Sequence, residues 1–460
     1  MTITTESGVP KSTPPGTESQ ALRKLLLRLH FYAGVLVGPF LLVAALTGFV
    51  YAFAPTLENL IYGDYLEASA SDRALPASEQ LRAALDGRDP ATVLSLQTPG
   101  DAGGSTRVVF ADPGVGSGES TVFVDPGSGD VLGSLASDSG DLPLRAWLSA
   151  LHKNLHLGEL GNLYSEMAAS WLGVIALAGL YLWWKKSRGR VLTQGRAATG
   201  RGRTMNRHGV IGACAALGLI FLSATGLTWS DHAGKNVKTL RTEMSWTTPK
   251  LDTELGGGAG SPAGEHDGHD AAAVPVAPSV DLANVDGVLA VARDRGLTGS
   301  LSAIVPESAD NAWTVKEVAT ESDSVAVDGA TMRVTDELRF ADYPLAAKLT
   351  SWGIAGHMGT LFGIANQLLL AALALALIVL IAGGYRMWWQ RRPGRSDRFA
   401  LGALPRRGAL RRLPWPAIGA VAVVAVACGV FVPLLGLSLL GFLIVDVLLG
   451  LVRPRQDSVS

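Results

Sequence analysis

The sequence predicts a membrane α-helical bundle of about six transmembrane helices in two parallel repeats, carrying two small α+β extracytoplasmic domains. Three observations predict it. Of 460 residues, 48% are hydrophobic and only 17% charged, below the charged share of about a quarter in soluble domains. The apolar runs form two copies of one unit. "LHFYAGVLVGPFLLVAALTGFVYAF" around His30 aligns with "RHGVIGACAALGLIFLSATGLTW" around His208, each histidine preceding a Thr-Gly pair (Thr47-Gly48, Thr225-Gly226) by seventeen residues. Downstream, "WLSALHKNLHLGELGNLY" around His152 aligns with "WGIAGHMGTLFGIANQLL" around His357 at a constant offset of 205, which also places Gly158 on Gly363 and Trp183-Trp184 on Trp388-Trp389. Third, charge is segregated. Segment 185–207 holds eight Lys or Arg and no acid, and 390–412 holds eight Arg against Asp397 alone. By contrast, 58–145 holds fourteen acids against five Arg. Basic loops remain cytoplasmic, so the N-terminus lies inside and the acidic loop outside.

Taken in order, residues 1–22 begin in a Ser, Thr, Pro and Gly-rich stretch and read as a disordered cytoplasmic tail. Residues 23–57 form span one; its apolar run is too long for a signal-peptide core. Residues 58–145 form the first outside domain. "ASEQLRAAL" reads as a helix, and "TVLSL", "TRVVFA" and "STVFVDPGSGDVLGSL" alternate like strands, the last broken by an Asp-Pro-Gly turn. Span two (146–184) returns inward to the basic loop 185–207, and span three (208–230) runs out again. A Gly-rich linker (231–280), with His266 and His269, leads to the second outside domain (281–345), which repeats the helix-then-strands order. Span four (346–389) is followed by the basic loop 390–414. Region 415–452 would make a single helix of about 55 Å, too long for a hydrocarbon core of about 30 Å. Pro433 divides it, giving spans five and six and a cytoplasmic tail, 453–460; five spans is the alternative. Cys214 and Cys428 fall inside apolar spans and read as small buried residues, so neither a disulfide framework nor an iron–sulfur site is expected.

The chemistry sits in the histidines, because ionisable residues at membrane depth are costly and mark function. Spans one and three run in the same direction, so His30 and His208 fall at one depth near the inner face, with His152 and His357 matched near the outer face. Two imidazoles facing each other across a bundle form a bis-histidine site for one b-type haem. Two haems b are therefore expected. They are non-covalent, since no Cys-x-x-Cys-His is present. Arg28 and Arg207, beside the inner pair, are placed to neutralise haem propionates. His156, one helical turn after His152, and His232, at the outer end of span three, are the alternative ligands. No catalytic side chain is assigned.

As a set, "LH…G…LTG", "LHKNLHLG", "VFVDPGSGDVLG" and "GHMGTLFG" resemble the PepSY-associated transmembrane proteins over nearly the whole chain. The resemblance implies PepSY-like outside domains in a multi-pass protein of the bacterial plasma (inner) membrane. It also implies an iron-regulated, siderophore-reductase-like haem protein: a haem-dependent ferric-chelate reductase delivering electrons to a ferric siderophore or other ferric chelate outside. The second outside domain departs from the family pattern, with "VDGATMRV" at the Asp-Pro-x-x-Gly turn. No Rossmann or flavin motif is present, so the donor is a cytoplasmic protein or a quinol. Two other readings compete: a PepSY-type binding or regulatory membrane protein without redox activity, and a transporter for iron chelates. Membrane lipid is an expected partner and nucleic acid is not; the sequence leaves the oligomeric state open.

Overall fold

The computed structural model describes residues 15–69, 73–187, 200–256, 281–391 and 414–452. Most of the predicted tails and of both basic loops, and the linker segment carrying His266 and His269, lie outside them. The chain divides into two compact units. The first comprises 1–49, 153–240 and 369–460, and the second 50–152 and 241–368.

The first unit is helical. Helix α1 (Pro15–Leu36) begins inside the predicted tail, with Pro15 as its first residue, a position where the missing N–H costs nothing. It breaks from α2 (Gly38–Tyr51) by a bend of 62°, where an unbroken span was expected. The cause is Pro39: it lacks the N–H that would bond the Val35 carbonyl. Tyr385 fills the gap, its hydroxyl donating to the Val35 oxygen at 2.7 Å.

In chain order there follow α3 (Ala54–Ile61), α4 (Gly63–Leu66) and α5 (Ala77–Ala84), then α6 (Pro143–Asn154) and α7 (Glu159–Ser187). Next come α8 (Gly200–Thr228), α9 (Ala233–Glu243), α10 (Val285–Asp294), α11 (Leu345–Met358), α12 (Ile364–Trp389), α13 (Trp415–Phe431) and α14 (Pro433–Val452). Helix α9 lies where only linker was expected. By length and composition α7, α8 and α12 are able to cross a membrane, and the bent α1–α2 pair makes a fourth.

A buried seam joins Ala33, Val37 and Leu41 to Ala168, Trp171 and Leu172 of α7, Ala215 and Leu219 of α8, Leu380 of α12 and Leu435 of α14. Small residues let these backbones approach. Helices α13 and α14 break at Pro433, as expected, and Gly429 and Gly436 meet in close approach. Cys214 and Cys428 are unpaired and exposed rather than buried. Both lie on apolar helices whose outer faces have no protein covering them.

The second unit overturns one expectation. The two domains expected outside the membrane do not fold as separate sheets. Their strands are β1 (Val93–Gln97), β2 (Thr106–Ala111), β3 (Glu119–Val124) and β4 (Val131–Ser137), then β5 (Leu301–Ile304), β6 (Trp313–Glu317), β7 (Ser324–Val327) and β8 (Val334–Leu338). All eight join one antiparallel sheet in the order β4-β3-β2-β1-β5-β6-β7-β8. The join is β1 against β5, with Leu96 opposite Ala303. Each half alone would leave its first strand as an open edge over a thin core. Joined, they share one core in which Leu81, Val93, Leu96, Val108 and Phe110 pack with Leu289, Leu301, Trp313 and Val315. Burying each large side chain contributes about 1.5–3 kcal/mol.

The divergent turn keeps its geometry. Asp125 accepts from the amides of Gly127 and Ser128, and Asp328 accepts from those of Ala330 and Thr331. Gly129, at φ 81°, corresponds to Met332 at φ 55°, a left-handed conformation that costs a side chain about 1–2 kcal/mol.

Candidate functional site

The first pair of histidines meets. His30 on α1 and His208 on α8 face each other with ring centroids 6.1 Å apart and planes at 84°. Two metal–imidazole bonds of about 2.0–2.1 Å, each in line with its ring, would set centroids about 6 Å apart. His30 Nδ1 is fixed at 3.0 Å from the Ile175 carbonyl, the second bond that orients a ligating imidazole and leaves Nε2 for a metal. The Leu380 carbonyl, at the same 205-residue offset, lies beside His208. His208 Nδ1 nevertheless stays buried without a hydrogen-bond partner among the described residues. Glycines flank both rings: a Cβ at Gly179 would lie 2.9 Å from His30 Cε1, and one at Gly383 would lie 3.7 Å from His208 Nδ1. Two facing imidazoles are a donor set that fits a haem iron, which needs no third protein ligand.

The flanking arginines differ. Arg28 is buried and lies over the rings of Tyr32 and Phe442 at 5.5 and 6.0 Å. Arg207 is exposed.

His152 on α6 and His357 on α11 lie within electrostatic reach of each other. Tyr51 stacks on His152, centroids 6.2 Å apart and planes at 11°. Asn366 donates to the Gly356 carbonyl at 2.9 Å and so holds the turn that carries His357. Behind Tyr51, Arg145 pairs with Glu58 at 2.6 Å and lies 3.8 Å from Asp141. Burial pushes the Glu58 carboxyl up, opposed by Arg145.

His156 is not one helical turn beyond His152. Helix α6 stops at Asn154, and Leu155 and His156 both take φ 55°. Gly158 and Gly363, at φ 58° and 55°, precede α7 and α12 in the same way, so His152 and His357 each sit on a short helix ahead of a long one. His156 is exposed.

His232 is occupied differently. Its Nδ1 lies 3.1 Å from Glu166 Oε2, and that carboxylate also accepts the amides of His232 and Ala233 at 3.2 and 2.9 Å. Glu166 is 2% exposed and caps α9, so His232 belongs to a helix-capping network. Glu166, Tyr51, Asn366 and the Glu58–Arg145 pair were not singled out from the sequence. An acid about two turns inside the apolar α7 was the one available signal.

No curated protein matches the chain. The family model described as "PepSY-associated TM region" matches residues 27–391, the stretch that carries both histidine pairs and the joined sheet. The chain is a membrane protein belonging to the PepSY-associated transmembrane family.

Proposed function

We propose that the chain is a di-haem transmembrane electron-transfer protein of the bacterial plasma membrane. It would reduce an extracytoplasmic ferric siderophore or related ferric chelate with electrons from the cytoplasmic side. The observation that carries this reading is the facing His30–His208 pair, with His30 Nδ1 already committed to a backbone carbonyl. A haem held by these two histidines would supply one-electron transfer. The chain's part is to hold two imidazoles at fixed separation, to exclude water from them, and to present Arg28 and Arg207 near the inner pair. His152 and His357 would hold the second haem; Tyr51 stacks on His152, and Asn366 anchors the turn that carries His357.

Purified from haem-sufficient cells, the protein is expected to carry close to two non-covalent b-type haems with low-spin spectra. Pyridine haemochrome quantification checks this. A colourless protein that also takes up no added haem would sink the redox reading in favour of a binding or regulatory module.

The same proposal has two parallel repeats and six spans. Helices α13 and α14, about 25 and 30 Å long, cross as a pair, and the N-terminus is cytoplasmic. Reporter fusions after Ser187 and Val452 should report cytoplasm, and a fusion after Gly129 the outside. An outside signal after Val452 would mean five spans.

A further inference from the structure

Helices α5 and α10 cover one face of the eight-stranded sheet. Leu96, Val108, Ala303 and Val315 point into that core, so their neighbours along each strand project from the opposite face. Pairing aligns one row of these across the four central strands: Arg107 opposite Gln97, Gln97 opposite Ser302, and Ser302 opposite Lys316. Directly paired residues share a face, and three strand spacings put the Arg107 and Lys316 backbones about 14 Å apart.

The row is open in the middle and closed at both sides. Beyond Arg107 the next residue, Phe123, is fully buried, with Tyr65 packed against it at 5.7 Å. Beyond Lys316 the next residue, Ser324, is buried too. Between them Lys316 is exposed and Arg107, Gln97 and Ser302 are partly so. Gln97 Nε2 donates to Ser300 Oγ on the same face at 3.1 Å. The four residues form a polar floor between two covered flanks.

The charge on that floor is positive. Lys316 has no ion-pair partner among the described residues. Its side chain is exposed, and the surrounding protein pushes its pKa down. Burial likewise lowers Arg107, which has Glu58 as a compensating charge. Asp336, opposite Ala326, projects from the same face nearer the sheet edge, and there accepts the Asp252 amide. Among the described residues that this row brings together, Lys316 is therefore the cation left without an acid.

We propose that the open floor of the central strands binds a net-negative ferric chelate, with Lys316 as the principal contact and Arg107 at the far end. This deepens the reductase reading by naming the charge class of its substrate, and it rests on that reading. An ammonium with no neighbouring acid gains a charge pair from a ligand carboxylate that no internal acid already supplies.

The test uses the full chain in detergent without reductant, with tryptophan quenching as the readout of binding. The probes are a linear ferric trihydroxamate with a free terminal amine and the same chelate with that amine succinylated. They share one iron core and differ in charge. The succinylated form is expected to bind at least tenfold more tightly. Lys316→Met should weaken it about tenfold, equivalent to about 1.4 kcal/mol, and Lys316→Arg should recover most of the loss. Added salt should weaken binding to the native chain more than to the methionine variant. Equal binding of the two probes, or unchanged affinity in a folded Lys316→Met protein, would overturn the proposal. Because no electron moves in this assay, a haem-free protein that still prefers the succinylated probe would reject the redox reading alone. A haem-loaded protein indifferent to probe charge would reject only the anionic site.

Discussion

Replacing His208 by leucine is expected to remove one of two haems and leave the other with its spectrum intact. Leucine keeps the helix and its lipid-compatible surface but takes away the donor that faces His30 across 6.1 Å. His30→Leu should remove the same haem, and the double variant should lose no more than either single one. Two residues that act as one unit are non-additive in this way. His357→Leu and His152→Leu should remove the other haem instead. His156→Leu should spare it, because His156 lies beyond the end of α6 in a left-handed turn. Haem content and the α-band amplitude measure each loss. If the His30 and His208 variants each lose part of the haem and the double variant loses all of it, the two histidines do not share a site.

Leu96→Ala is expected to cost about 2–5 kcal/mol and to loosen both halves of the sheet together. Leu96 is 1% exposed on β1, at the join, and lies in the core with Leu289, Leu301 and Val315 from the other half. A cavity there removes contacts from both halves at once. Limited proteolysis of the full chain, with cleavage sites mapped by mass spectrometry, should show the β2–β3 and β6–β7 hairpins becoming sensitive in parallel. Cleavage confined to the first hairpin would mean that the halves fold independently.

How much of this was legible in the sequence depends on the range of the interaction responsible. Membrane class follows from apolar runs, which act residue by residue. The break at Pro433 follows from a missing N–H, and it stands where expected. The bend after Leu36 follows from the same cause, written plainly as Gly38-Pro39, and went unread because hydrophobicity alone runs straight through it. His30 and His208 were found because two apolar runs align at constant spacing and so mark equivalent positions along the chain.

Other features depended on partners far along the chain. Nothing local to β1 says that its open edge will pair with β5, some two hundred residues away, since backbone N–H and C=O groups are the same in every strand. Residues 146–184 likewise read as one helical span until Leu155, His156 and Gly158 turn left-handed, which separates His156 from the face of His152. The role of Glu166 needed the amide groups of α9 to arrive beside it. From local chemistry alone the sequence determined the apolar helices, the paired histidine positions and the two Asp-anchored turns. Tertiary structure decided the joining of the sheet halves, the partners of His232 and His152, and the open cationic row, because each arises only when distant segments share hydrogen bonds or exclude water together.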